Sequence, residues 1–330
     1  MRYTPHLLYE EPNRKVKTEV PTRARKGLQM PVEKVKFKSG GIHCAGDLYI
    51  PDGRRSGSRG PAVVMGHGFS FVKEALVEDA GYLQRAGYVV LAIDYRTFGE
   101  SEGEPRGQLF PLNESEDYRN AISYLETRDE VDPARIGIWG TSFGGAMVIY
   151  TGAVDRRAKA VVAQVPVVNG RRWLQALRTS DLWLELLDKI DEDRRRRFRT
   201  GESARVPVTG LASQGAFCAM PADVKILAFL EEAKKNLKTW RPDLAMESIE
   251  KIIEFNPEAV IHQISPRPLC IVVTAGYDMI HPIEHILDAY KKANEPKKIA
   301  LLPHDQLGLY TEPGRGDAMR VAIDWFNQYL

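Results

Sequence analysis

Residues 135–150 read RIGIWGTSFGGAMVIY, and the fold turns on how these sixteen residues are read. RIGIW is an apolar run of strand length, and GAMVIY continues with helical spacing. TSFGG must therefore turn sharply from one to the other. A serine on such a turn is displayed rather than buried, and the surrounding glycines give the backbone room to make it.

Outward from this point the pattern repeats. Residues 32–38 (VEKVKFK) and 42–50 (IHCAGDLYI), joined by Ser-Gly-Gly, read as an antiparallel hairpin. Strand and helix then alternate: PAVVMG with the helix ALVEDAGYLQRAG, YVVLAIDY with ESEDYRNAISYLETR, RIGIW with the helix after Ser142, and then AKAVVAQV. Crossover helices between continuously apolar strands imply a mostly parallel sheet covered on both faces, an α/β fold. The alternation pauses near Pro166 and resumes with PLCIVVTAG, the helix IEHILDAYKKA, the strand KKIALL and a closing helix GDAMRVAIDWFNQYL. The expected organisation is a polar lead over residues 1–30, a core over 31–166 and 265–330, and a helical cap over 167–264. The cap is expected above the carboxyl edge of the sheet, where open α/β sheets bind ligands.

Composition narrows the function classes. The 330 residues are 43% hydrophobic and 27% charged, with Lys and Arg at 46 against 44 for Asp and Glu. A net charge of +2 gives no global reason to expect nucleic acid or an anionic membrane as partner. The run DEDRRRRFR (191–199) pairs its arginines with three preceding acids and reads as a solvated cap face. Cys44, Cys218 and Cys270 are widely spaced, with no CxxC or metal-type pattern, and are expected to be reduced thiols in a cytoplasmic protein. There is no signal-type apolar region near the N-terminus and no run of about 18 apolar residues that would span a membrane.

Gly140-Thr141-Ser142-Phe143-Gly144 is a GxSxG pentapeptide with a strand before it and a helix after it. Serine is a weak nucleophile until a base accepts its proton, so an imidazole and an orienting acid are required. In the chain order serine, acid, histidine, Asp278 closes CIVVTAGYD and His304 follows IALLP. His281 is a poorer candidate base, since it lies three residues from Asp278 and reads as part of the same loop or the start of the next helix. The backbone N–H of Phe143 and of Phe69, in the HGF turn after PAVVMG, are the expected oxyanion donors. His67 is read as shaping that turn, not as a base. Apolar residues at helical spacing in the cap, Trp173, Leu174, Leu177, Leu182, Trp183 and Leu186, serve either the cap core or a pocket wall.

These residues together resemble the α/β-hydrolase family over nearly the whole chain apart from the lead and the cap. HGF (67–69) looks like its oxyanion loop, DYRTFGESEG (94–103) like the loop after its fourth strand, and GTSFG like its nucleophile elbow. HGFSFVKE, SEGEPR, GIWGTSFGG and RRAKAVVAQVP are similar to the branch that joins dienelactone-hydrolase-like and Xaa-Pro-dipeptidyl-peptidase-like proteins with polyketide transesterases and thiohydrolases. The resemblance implies an eight-stranded sheet and a serine hydrolase that cleaves an ester, or a related thioester or amide, of a small acyl substrate through a covalent acyl-serine. It further implies no metal or organic cofactor, and a homodimer as the common assembly. The family often has Gly before its catalytic histidine, whereas Pro303 precedes His304 here. An acyltransferase or thiohydrolase using the same residues, and a non-catalytic binding protein on this scaffold, are the alternatives.

Overall fold

The computed structural model describes residues 32–53 and 58–330; the expected lead over residues 1–30 lies outside them. The hairpin forms as expected from β1 (Val32–Ser39) and β2 (Ile42–Tyr49), paired antiparallel from Val32 opposite Tyr49 to Ser39 opposite Ile42. Its turn places Gly40 at φ 56° and Gly41 at φ 83°, the pair of left-handed residues that matches the twist of two strands.

Six further strands complete one eight-stranded sheet: β3 (Gly60–Gly66), β4 (Val89–Ile93), β5 (Val131–Thr141), β6 (Ala160–Gln164), β7 (Leu269–Thr274) and β8 (Lys297–Leu302). The order across the sheet is β1-β2-β4-β3-β5-β6-β7-β8, and all pairs from β4 to β8 are parallel. β4 and β7 are buried at every residue, which is why their sequences are uninterrupted VVLAI and LCIVVT rather than alternating.

The helices cover both faces. α1 (Val77–Arg85) and α9 (Gly314–Tyr329) share one apolar layer with Val63, Met65, Val90 and Trp139. α2 (Pro111–Glu126), α3 (Phe143–Val154) and α8 (Ile283–Lys292) pack on the other with Val64, Leu91, Ile138 and Ile271. α3 lies between the sheet and the residues above it, and nine of its twelve residues are buried.

After Gln164 the chain leaves the sheet and returns at Leu269. In between it forms α4 (Gly170–Ala176), α5 (Ser180–Thr200), α6 (Val224–Lys234) and α7 (Glu247–Glu254). Two short strand pairs join them, Arg205–Pro207 with Asp243–Ala245 and Thr209–Leu211 with Met220–Ala222. Asn169 caps α4 by accepting from the Arg172 N–H, and Gly201, at φ 75°, ends α5. Two arginines of the 191–199 run hold this segment together. Arg197 donates to Asp193 at 2.8 Å, to Glu247 at 3.0 Å and to Glu250, while Arg194 reaches Glu250 at 2.9 Å. Arg195 and Arg199 are exposed.

The three cysteines are buried and unpaired. Among the described residues no helix is long and apolar enough to cross a membrane.

Candidate active site

The strand order reverses between β3 and β5: from β3 the chain moves outward to β4, then returns to lay β5 on the other side. The carboxyl ends of these two strands are the switch point where open α/β sheets place their ligands, and both the HGF turn and the GTSFG turn leave from there.

Ser142 sits at φ 56° and ψ −117°, a conformation that costs a residue with a Cβ roughly 1–3 kcal/mol. Neighbours hold it there. Its N–H donates to Gln164 O at 2.8 Å, and its carbonyl accepts from Val167 N at 3.2 Å and Ala146 N at 3.3 Å. Glycine at 140 and 144 is a packing requirement: a Cβ on Gly140 would meet Gly144 O at 2.2 Å, and one on Gly144 would meet Gly66 O at 2.5 Å. Strand, turn and helix are thereby pressed together, and Ser142, expected to be displayed on the turn, is buried.

The imidazole that meets this hydroxyl is His281, with Nε2 2.9 Å from Ser142 Oγ. The other ring nitrogen of His281, Nδ1, lies 2.9 Å from Asp278 Oδ2 and 3.1 Å from Oδ1. An ionised carboxylate only accepts, so Nδ1–H donates to Asp278, and Nε2 is left to accept the serine O–H. Asp278 Oδ1 also accepts the backbone N–H groups of Ile280 at 3.0 Å and His281 at 2.8 Å. The carboxylate therefore folds its own loop, and that fold returns the ring three residues on to the carboxylate. The His281 and Asp278 side chains are 3% and 5% exposed.

His304, expected as the base, is elsewhere. Its Nε2 lies 2.8 Å from Asp317 Oδ2, and Gly308 and Gly314 pack against the residue. Pro303 and His304 make a tight bend in which the His304 N–H reaches back to Leu302 O at 2.8 Å and its carbonyl accepts from Gly276 N at 2.9 Å. That bend aims the ring at the first turn of α9, away from Ser142. The structure brings together Ser142 and Asp278 as expected, and supplies His281 where His304 was expected.

The turn after β3 closes the other side. A Cβ on Gly68 would lie 3.2 Å from Ser142 Cβ, so the peptide entering Phe69 runs beside the serine. Phe69 is buried between Trp173 (ring centroids 5.3 Å) and Phe143 (6.2 Å). The Phe143 N–H opens α3, where helix geometry offers no carbonyl four residues back. Trp173 is thus a wall of the site: its Nε1–H donates to Ile280 O at 2.8 Å, tying α4 to the Asp278–His281 loop.

His67 has no proton-transfer geometry toward Ser142. One nitrogen, Nδ1, is 3.0 Å from Gly68 O, and the ring meets Tyr95 edge-on at 4.5 Å. Burial pushes its pKa down to about 4, so it is neutral and shapes the turn.

The loops are pinned from behind by Asp94, which is fully buried. Its Oδ1 accepts the Lys73 N–H at 2.7 Å and its Oδ2 the Glu100 N–H at 2.9 Å. The buried Lys73 ammonium lies 3.1 Å from Asp94 and also meets Glu100. Burial alone would lower its pKa, but the carboxylates of Asp94 and Glu100 outweigh burial and hold it above the ordinary lysine value. Tyr310, from the loop after β8, reaches Thr141 Oγ1 at 3.0 Å, next to the nucleophile turn. Helical spacing offered Trp173 as a wall or core residue of the inserted segment, whereas nothing in the spacing pointed to Tyr310 as a neighbour of this site.

Comparison with known proteins agrees with this architecture. A model described as the prolyl oligopeptidase family matches residues 77–205, a stretch that includes Ser142 and ends before Asp278. Thiohydrolase aneE of Aspergillus aculeatus is 27% identical over 264 residues, covering 78% of this chain and 80% of that protein. Polyketide transferase grgF of Penicillium sp. is 26% identical over 74% of this chain and 80% of its own length. The solved structure of the α/β hydrolase GrgF from Penicillium sp. sh18 superposes with TM-score 0.76 at 23% identity, over 91% of this chain and 99% of that one. DcsB, solved with a substrate analogue, superposes with TM-score 0.79 at 23% identity, over 91% and 100% of the two chains. The fold is that of the α/β hydrolases.

Proposed function

The chain is an α/β hydrolase by fold, and we propose that it cleaves an ester or thioester through an acyl-serine, using Ser142, His281 and Asp278. The observation that carries this reading is the unbroken contact series from Asp278 through His281 to Ser142 Oγ, with a 2.9 Å contact on each side of the ring. Ser142 Oγ attacks the substrate carbonyl carbon while its proton passes to His281 Nε2. Asp278 keeps the proton on Nδ1 and stabilises the imidazolium. The carbonyl oxygen, now negative, is met by the N–H groups of Phe69 and Phe143, at the positive end of α3. Collapse breaks the bond to the leaving oxygen or sulfur, which takes the proton from His281. Water, deprotonated by His281, then attacks the acyl-serine; the bond to Ser142 Oγ breaks, Oγ takes that proton back from His281, and the acid is released. The segment from 167 to 264 acts as the cap in this reading.

A second reading, transfer of the acyl group to an alcohol instead of water, draws support from two observations. Ser142 and His281 are only 7% and 5% exposed, a setting that restricts water. Relatives of this chain carry the names thiohydrolase and polyketide transferase.

The deciding experiment is pre-steady-state release of p-nitrophenol from esters of increasing acyl length, with and without an alcohol acceptor. A stoichiometric burst that disappears in Ser142→Ala is the expected result, and acceptor-dependent ester product would select transfer. Turnover unchanged in Ser142→Ala would overturn the acyl-serine. A wild-type protein that neither bursts nor takes up a serine-reactive phosphonate would point instead to a binding protein on this scaffold.

A further inference from the structure

One peptide group decides where the His281 ring stands. The peptide joining Ile280 to His281 donates its N–H to Asp278 Oδ1 at 2.8 Å, and its C=O accepts the Trp173 indole Nε1–H at 2.8 Å. A peptide is planar, so a bond at each end fixes its tilt, and that tilt fixes the Cα from which the imidazole hangs. Asp278 holds one end from within the loop. Trp173 holds the other from α4, in the inserted segment, and both Trp173 and Ile280 are buried, so solvent does not stand ready to replace the indole as donor. The same indole reaches the other half of the site. Its ring lies 5.3 Å from that of Phe69 and 6.0 Å from that of Phe143 between centroids, the two residues whose N–H groups meet the oxyanion in the proposed reaction.

Resting on the acyl-serine reading, we propose that Trp173 is a positioning residue: its Nε1–H, bonded to Ile280 O, sets the His281 imidazole in line between Asp278 and Ser142. The inserted segment thereby supplies a placed hydrogen bond as well as a cover. The support of α4 suits that role. The Gly170 N–H donates to Phe255 O at 2.9 Å, a Cβ on Gly170 would meet Ile252 O of α7 at 1.8 Å, and the Val167 N–H, just ahead of the helix, donates to Ser142 O at 3.2 Å. The helix that carries the indole is therefore fixed against α7 and against the nucleophile turn at once. Trp173 acts through the peptide and not on the reacting atoms. Removing its N–H takes from the buried Ile280 carbonyl the donor it has in the structure, and a peptide that turns to find another carries the His281 Cα with it.

Trp173→Phe separates the two parts of the indole, since it keeps a ring against Phe69 and Phe143 and lacks the donor. On p-nitrophenyl esters kcat should fall by about 10-fold or more, while KM stays close to that of wild type. A second readout needs no turnover: the low-field proton resonance of His281 Nδ1–H, bonded to Asp278 and identified by its loss in His281→Ala. It should persist in Ser142→Ala and should broaden or move upfield in Trp173→Phe. Replacing Trp173 by benzothienylalanine, which keeps the bicyclic shape and puts sulfur where Nε1–H was, should reproduce both changes. That replacement carries the test if unfolding midpoints show that Trp173→Phe does not fold. An unmoved resonance in a folded variant overturns the proposal, whatever kcat and KM do, and a rise in KM alone marks a wall that touches substrate and overturns it too. If wild type gives no burst on any ester, the acyl-serine reading fails, and the resonance still decides whether the indole holds His281 in place.

Discussion

His281 and His304 each face a carboxylate, yet only one faces the nucleophile. The His281 ring spans Asp278 and Ser142, whereas His304 spends Nε2 on Asp317. His281→Ala should therefore lower kcat by roughly 10⁴-fold or more, as loss of a triad base does elsewhere, with the burst lost alongside. His304→Ala should leave kcat within a few-fold and act mainly on stability, through the contact with α9. Steady-state kinetics and urea unfolding of both variants check this, and an inactive but stable His304→Ala protein would refute the assignment. Ser142 and Asp278 were legible because each follows a continuous apolar strand, so the sheet itself brings them to one edge. The imidazole that meets Ser142 was not legible, because chain order assigns acid and histidine to different loops. In this protein Asp278 accepts two backbone N–H groups of its own loop, and that turn makes a spacing of three residues suffice. Pro303, which fixes φ ahead of His304, was a signal in the sequence against the expected base.

At the level of elements, the inserted segment holds itself together by buried charge as much as by apolar packing. Asp193 on α5 is 3% exposed and accepts from Arg197 Nε at 2.8 Å, Ser203 Oγ at 3.0 Å and the Ala204 N–H at 2.6 Å. Asp193→Ala leaves the Ala204 N–H without its acceptor and takes away one of the three carboxylates around Arg197, a change that typically costs about 1–3 kcal/mol. Arg195→Ala, on the exposed side of the same helix, should stay within about 0.5 kcal/mol. Urea unfolding of the two variants tests this, and limited proteolysis should cut Asp193→Ala first within residues 167–264. Equal stability of both proteins would mean that the acidic and basic run is no more than a solvated face. The strands and helices of the sheet were readable to within a few residues, since periodicity and burial coincide there. Within the insertion the sequence announced helices, but the strand pairs at Arg205–Pro207 and Thr209–Leu211 are three residues each, too short for any alternation to register. That Arg194 and Arg197 reach Glu250 on α7 while Arg195 and Arg199 stay in solvent follows from the helix repeat only once the position of α7 is known.

For the molecule as a whole, pH acts through buried groups on different faces of the sheet, and they pull in opposite directions. Burial lowers His67 to about 4, with Asp94 opposing that shift and Lys73 adding to it. Burial raises Asp79, on the α1 and α9 side, to about 7 in spite of Arg315 at 3.7 Å. The signs follow from which state binds protons more readily. His67 is neutral in the folded protein and has a pKa near 6.5 when unfolded. Its contribution is complete above pH 6.5 and is lost as pH falls toward 4, by up to roughly 3 kcal/mol. Asp79 contributes fully below about 3.8 and loses that contribution as pH rises toward 7, so it offsets part of the loss across the same window. His67→Phe keeps an aromatic ring against Tyr95 and removes the titration. Its stability relative to wild type should rise as the pH is lowered from 7.5 to 4.5, while Asp79→Asn should make the acid loss steeper than in wild type. Urea midpoints at pH 7.5, 6.0 and 4.5 give both slopes. A His67→Phe slope identical to that of wild type would mean that the imbalance comes from other groups and that the turn after β3 opens to solvent before His67 is protonated. The turn beside Ser142 would then be the part of the molecule that yields first to acid, and activity would fall at a higher pH than global stability.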